Sequence, residues 1–157
     1  MDADLHVVLV APEIPPNAGN VARTCAALGA VLHLIRPLGF FMTDRHLRRA
    51  GMDYWRQVRY HVHDDWEAFR RLMPAERCLF FTPDADRRYD QVDYRRGVGL
   101  VFGSESSGLP PAVLAEAPPE RRVRIPMRPG IRSLNLATSV GIAAYEAARR
   151  LGFPGLA

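Results

Sequence analysis

The sequence predicts an α/β fold in one domain, residues 1–157: a mostly parallel sheet flanked by helices. Three observations carry that expectation. The chain opens on an unbroken apolar run, LHVVLVA (5–11). Strand-like and helix-like segments then alternate to its end. Three of the strand-like segments run into loops rich in small residues and proline, FTPDAD, FGSESSGLP and RIPMRPG. In open α/β sheets such loops, beyond the carboxyl ends of strands, are where ligands bind.

Each element follows from its local pattern. The run 5–11 has no polar alternation, as expected of a strand covered on both faces. PEIPPNAG reads as a proline-rich loop, and NVARTCAAL (20–28) as a helix ended by Gly29. Val21, Cys25 and Leu28 share the buried face of that helix, while Asn20, Arg23 and Ala27 share another. AVLHLIRP (30–37) is a second strand. TDRHLRRAG (43–51) is a short helix, and DDWEAFRRL (64–72) another, with Asp64 and Glu67 at capping-box spacing. Between them, His61 and His63 are expected in a solvated turn rather than a metal site. RCLFFT (77–82), VGLVFG (98–103) and RRVRIPM (121–127) are strands three to five. PAVLAEA (111–117) is a helix with proline near its first position. The last helix runs from about 135 to 151, with Leu136, Val140, Ala144, Ala147 and Leu151 as its apolar stripe.

Composition narrows the function classes. No apolar run approaches the roughly 18 residues of a membrane span, so no membrane partner is expected. Cys25 and Cys78 form no CxxC, which disfavours zinc-ribbon and disulfide frameworks and fits a reduced, cytoplasmic setting. The net charge is +4, and all 21 basic residues are arginine. Arginine matches phosphate oxygens in two-point contacts, so the excess is compatible with a nucleic-acid partner, as it is with a bias of the genome. GSESSG has the glycine spacing of a P-loop, but Leu109 stands where that motif needs lysine. The dinucleotide fingerprint is missing after the first strand, and no HExxH pair exists. What recurs is small loops with backbone donors and acceptors and few titratable groups, suited to a neutral or zwitterionic ligand. Glu105 is the one carboxylate among them. The stretch RPGIRSLNLATSVG (128–141) reads on its own first as a helix cap, through Ser133 or Asn135, and then as the wall of such a site.

Three segments together resemble a known family. NAGNVARTCAALG (17–29), VFGSESSGLP (101–110) and RIPMRPGIRSLNLATSVGIAAYEAAR (124–149) are similar to the three signature motifs of the SPOUT methyltransferases, SpoU branch. PEIPPNAGN, RRAGMDYW and RRLGFPG extend the likeness, over nearly the whole chain, to a compact subfamily acting on the tRNA wobble position. The resemblance implies S-adenosyl-L-methionine as methyl donor, with S-adenosyl-L-homocysteine as product. It implies the ribose 2′-hydroxyl of nucleotide 34, cytidine or a modified uridine, in leucine tRNAs as acceptor. It also implies a homodimer, contact with the anticodon loop, no metal, and a C-terminal trefoil knot.

The same resemblance assigns residues. Arg23 matches the arginine placed at the 2′-hydroxyl, across the dimer interface. Because arginine stays protonated, anchoring of phosphate and stabilisation of the developing oxyanion suit it better than a base role. Glu105 matches the second motif's glutamate, expected to position Arg23 or the ribose, and Asn135 the third motif's asparagine. Phe81, Gly103, Ile125 and Ser133 match the lining of the cofactor pocket. Phe81 departs from a smaller aliphatic residue there, and Ser104 and Ser106 depart from the usual proline and threonine, which puts the loop's rigidity in question. Leu134 and Ile125 suit adenine packing or ordinary core burial. Asn20 orients Arg23, touches RNA or caps the first helix. Arg45, Arg48 and Arg49, with Arg128 and Arg132, are expected to meet RNA, and Tyr54, Trp55 and Tyr60 either stack on bases or fill the core. Two alternatives remain at this level: the same chemistry at another tRNA or rRNA position, and a non-catalytic RNA-binding module.

Overall fold

The computed structural model describes residues 3–43, 45 and 53–157. Its strands are β1 (Leu5–Val10), β2 (Val31–Ile35), β3 (Tyr60–His63), β4 (Cys78–Phe81), β5 (Arg87–Arg88), β6 (Val98–Phe102) and β7 (Arg122–Arg124). They form one sheet in the order β3-β2-β1-β6-β4-β7-β5, and every pairing is parallel. The helices are α1 (Pro15–Leu28), α2 (Trp66–Arg70), α3 (Pro111–Glu116) and α4 (Leu136–Arg150). The helix expected over 43–51 lies largely outside the described residues, and with it Arg48 and Arg49.

The sheet has a core on each face, which is why its central strands carry no polar alternation. Val7, Leu9, Leu34, Leu79 and Leu100 pack with Ala18, Val21 and Cys25 of α1 and Val140, Ala144 and Ala147 of α4. Val8, Val10, Ile35, Phe80 and Val101 pack with Phe69 of α2 and Val113 of α3. The alanine-rich faces let α1 and α4 lie close on the same side of the sheet.

Local chemistry corrects several expected boundaries. Helix α1 begins at Pro15, not at residue 20. Its first turn is proline-led, where a missing N–H costs nothing because that group would be unpaired anyway. Asn20 is therefore mid-helix and exposed, and it caps nothing. Gly29 ends the helix at φ 70, in the left-handed region. Residues 61–63 are not a solvated turn: they pair with β2, and His63 is buried. Asp65, not Asp64, caps α2 by accepting from Ala68 N at 2.8 Å, while Asp64 accepts from Arg36 at 3.2 Å.

Strand β7 lies between β4 and β5, although residues 82–86 join those two strands directly. Arginines fasten this region to backbone carbonyls. Arg121 donates to Cys78 O, Arg122 to Leu114 O and Ala117 O, Arg124 to Ala85 O and Asp86 O, and Arg150 to Asp90 O and Val92 O. Part of the all-arginine composition is thus structural, since the guanidinium fork reaches two acceptors at once.

Candidate functional site

The chain runs from β1 outward through β2 and β3, then returns to build the other side of the sheet from β6 and β4. By the general rule for open α/β sheets, such a reversal places the ligand crevice at the carboxyl ends of the strands beside it, here β1, β6 and β4. The three resembling segments meet there.

Glu105 sits in the turn after β6, and its carboxylate reaches the start of α1. Oε1 accepts from Glu13 N at 2.8 Å, and Oε2 accepts from Ile14 N at 2.7 Å and Asn17 Nδ2 at 3.2 Å. Ile14 supplies no side-chain cap of its own, so Glu105 serves as the anion at this helix's positive end. Asn17 is buried, and its Oδ1 accepts from Asn135 Nδ2 at 3.0 Å. Asn135 then caps α4: its Oδ1 accepts from Thr138 N at 3.1 Å. One hydrogen-bonded line, Glu105 to Asn17 to Asn135 to Thr138, joins segments 88 and 118 residues apart.

Within one chain, Glu105 reaches the start of α1 and not Arg23. Arg23 is six residues beyond Asn17, about 9 Å further along the helix axis and on another face. Its guanidinium lies over the Tyr54 ring, 4.9 Å from the centroid, on the exposed side of α1 with Asn20. Of the other aromatics, Trp55 is buried and takes the Tyr60 ring edge-on at 4.9 Å, so Trp55 fills the core. Arg45 is exposed, as are Arg128 and Arg132.

The residues assigned to the cofactor gather on three adjacent strands. Phe81 ends β4 and stacks on Phe102 at 4.5 Å and 15°. Gly103 follows Phe102, and Ile125 follows β7 and packs on the core beside them. Gly103 admits no side chain: a Cβ there would lie 1.9 Å from Gly108 C and 2.1 Å from Leu109 N. The turn folds back over it, with Gly108 N donating to Ser104 O at 2.9 Å and Gly108 at φ 68. The floor of the crevice is thus apolar. Its wall is the loop 125–134, in which one internal backbone hydrogen bond is found among the described residues, Ile131 N to Arg128 O at 3.3 Å. Among the described residues no further backbone hydrogen bond is found for residues 126–134, Ser133 included. An apolar floor with a backbone wall fits a nucleoside-bearing donor such as S-adenosylmethionine, held by ring packing and peptide contacts.

Two participants escape a reading of the sequence. Asn17 holds Glu105 and Asn135 together, and Glu13 is Glu105's neighbour in the turn contact. Asn17 left a signal: it falls on the buried face of α1 with Ala18, Val21 and Ala22, and a buried amide needs a partner. Glu13, in a stretch read as loop, left none.

Known proteins share this sequence and fold. Residues 4–145 match the model of the SpoU rRNA Methylase family. A tRNA (cytidine(34)-2'-O)-methyltransferase of Burkholderia ambifaria is 51% identical over 153 residues, covering 96% of this chain and 97% of that protein. Its counterpart from Escherichia coli K12 is 44% identical, covering 96% of each. A solved structure concerned with the 2-OH methylation of C/U34 on tRNA superposes with a TM-score of 0.87 at 50% identity, covering 97% of this chain and 99% of that one. An AdoMet-bound rRNA methyltransferase from Sinorhizobium meliloti superposes at 0.81 with 29% identity, covering 96% of this chain and 58% of that one.

Proposed function

The chain belongs to the SpoU rRNA Methylase family, and from that membership we propose that it transfers a methyl group from S-adenosylmethionine to the ribose 2′-hydroxyl of a tRNA wobble nucleotide. The acceptor is cytidine or a modified uridine at position 34 of leucine tRNAs. The working form is a cytoplasmic homodimer with a trefoil-knotted C-terminal region. The observation that carries this reading is the junction of Glu105, Asn17 and Asn135, which brings all three family-like segments to one crevice.

The bound donor supplies an electrophilic methyl carbon on a sulfonium. The ribose oxygen forms the new C–O bond as the C–S bond breaks, leaving a neutral thioether, and the hydroxyl proton passes to solvent. The protein's task is alignment, which alone contributes roughly 7–11 kcal/mol. Phe81, Gly103, Ile125 and Ser133 hold the donor. Arg23, steadied on Tyr54, anchors a phosphate beside the acceptor and offsets the charge developing on the ribose oxygen. Its distance from the Glu105 junction fits a partnership in which one copy's Arg23 serves the other copy's crevice. Glu105 and Asn135 act as positioning residues, because their polar atoms are already engaged by protein. Asn20, Arg45, Arg48 and Arg49 meet the RNA.

The test is transfer of labelled methyl from S-adenosylmethionine into total tRNA, followed by nucleoside mapping. Label at the ribose of nucleotide 34 in leucine tRNAs is the expected result. Label confined to another position moves the reading to a different substrate, and no transfer, with no donor binding by calorimetry, overturns it.

A further inference from the structure

The turn that shapes the Gly103 crevice is held from two sides, and only one of them is Glu105. Glu13 reaches the same turn in the opposite direction: its Oε1 accepts from Ser106 N at 2.9 Å and from Ser106 Oγ at 2.6 Å. Those two hydrogen bonds hold the Glu13 carboxyl below the usual carboxylate range, so it stays charged. Glu105 meanwhile accepts from the backbone N–H of Glu13. Glu105 thus takes the N–H of Glu13 while Glu13 takes that of Ser106, and the two carboxylates clasp the two loops together across 92 and 93 positions.

The backbone of Glu13 is itself pinned. Gly39 N donates to Pro12 O at 2.9 Å, and a Cβ at Gly39 would lie 2.2 Å from Glu13 O. Residue 39 can approach this closely only as glycine. Glu13 thus stands where three loops meet, after β1, after β2 and after β6. Ser106 supplies a hydroxyl donor for the clasp where threonine is usual, and Ser104 Oγ accepts from Ser107 N at 3.2 Å inside the turn. Rigidity put in question by the missing proline at 104 is restored by these bonds.

We propose that Glu13 is a positioning residue for the methyl donor: its charged clasp on Ser106 holds the 103–108 turn in the shape that binds the cofactor. A turn tied only through Glu105 is free to pivot about that point, and every fraction of time spent away from the closed shape weakens apparent donor affinity by that fraction. Once donor is bound the turn is closed, so the chemical step is unaffected. The signature is a change in Kd and KM for S-adenosylmethionine with kcat retained. This inference rests on the proposed methyltransferase reading. The two fail separately: wild-type protein that binds no S-adenosylmethionine defeats that reading, whereas wild-type binding with no effect of Glu13 defeats this one.

The experiment compares Glu13→Ala, Glu13→Gln and Ser106→Ala with wild type by calorimetry with S-adenosylmethionine, steady-state kinetics on tRNA, and thermal melting. Glu13→Ala is expected to raise Kd and KM about tenfold, with kcat at saturating donor within about twofold of wild type. Glu13→Gln keeps an acceptor oxygen for Ser106 and so recovers most of the affinity. Ser106→Ala loses one of the two bonds and falls between wild type and Glu13→Ala. A Kd for Glu13→Ala within about twofold of wild type overturns the proposal, as does a fall in kcat with Kd unchanged. If Glu13→Ala does not fold, Ser106→Ala decides: a raised Kd with wild-type melting supports the clasp, and an unchanged Kd overturns it.

Discussion

Two polar networks run through this molecule, and they are built for different ends. At the carboxyl edge, Glu105, Asn17 and Asn135 link loops and helix starts, with carboxylate and amide groups matched donor to acceptor. On the α2 and α3 face of the sheet, three histidines form a line across β1, β2 and β3: His6 Nδ1 is 3.0 Å from His33 Nε2, and His33 Nδ1 is 2.9 Å from His63 Nε2. The first network spans three loops that must meet around a ligand. The second lies inside one side of the sheet, edged by Phe69, and ends at a His6 Nε2 that is buried with no hydrogen-bond partner among the described residues. A neutral imidazole has one donor and one acceptor nitrogen, so the line has a single polarity. The arrangement in which His6 donates to His33 and His33 to His63 leaves a bare lone pair at His6 Nε2, which costs less than a stranded N–H. The contrast teaches that the edge network should govern ligand binding, and the histidine line stability alone.

The sharpest test of the catalytic side is Arg23→Ala. With its guanidinium gone, kcat is expected to fall by about 10²–10³-fold, while calorimetry finds donor affinity intact. If donor binding collapses with it, the exposed face of α1 belongs to the scaffold and not to the chemistry. Asn17→Ala comes next in size. It removes the group that joins Glu105 to Asn135 and leaves both facing a gap, at a cost of about 1–3 kcal/mol in denaturant unfolding, together with weaker donor binding. An Asn17→Ala protein with normal affinity would erase the distinction between the networks.

The histidine line makes the smallest and most specific prediction. Burial is the main cause holding His33 down at about 3 and His6 at about 4, with His6 and His63 adding to the effect on His33 and Arg77 to that on His6. The folded values lie below the unfolded value near 6.5, so the unfolded chain binds more protons as pH falls. Stability is therefore full above about pH 6.5 and is lost on acidification toward pH 4. Between pH 6.5 and pH 5 the loss is on the order of 1–2 kcal/mol for each histidine kept neutral. Urea midpoints across that range measure it. In His6→Leu the fall should be shallower, because one proton fewer is taken up on unfolding, and donor affinity should not change.

Legibility in the sequence followed the range of the interactions. Apolar runs at 5–10, 78–81 and 98–102 announced buried parallel strands, because burial on two faces is a local pattern. The start of α1 was hidden by Pro15 and Pro16, which read as loop and act as a first turn. Strand β3 was hidden by its histidines, polar by composition yet partly buried through the line they form with β2. Strand β5 is two residues long and cannot be read at all. For the site, Arg23, Gly103, Glu105 and Asn135 stood out within their own segments. Glu13 acquires its role only through bonds to a residue 93 positions away, which no local pattern records, and the signal at Asn17, its place on the buried face of α1, shows only once the helix is known to start at Pro15.

The placement of β7 also sets a timetable for synthesis. Strand β5 pairs with β7 and with no other strand among the described residues, so residues 87–88 have no ladder to join until residues 122–124 exist. At a ribosomal rate of about 5–20 residues per second, the intervening stretch takes roughly two to seven seconds to appear. Once β6 (98–102) has joined, and until β7 exists, β4 is the sheet's outer strand, and Phe80 and Phe81 lie beside a vacant edge. A chain interrupted before Arg122 loses two strands and not one, and quality control of the nascent protein has that window in which to act.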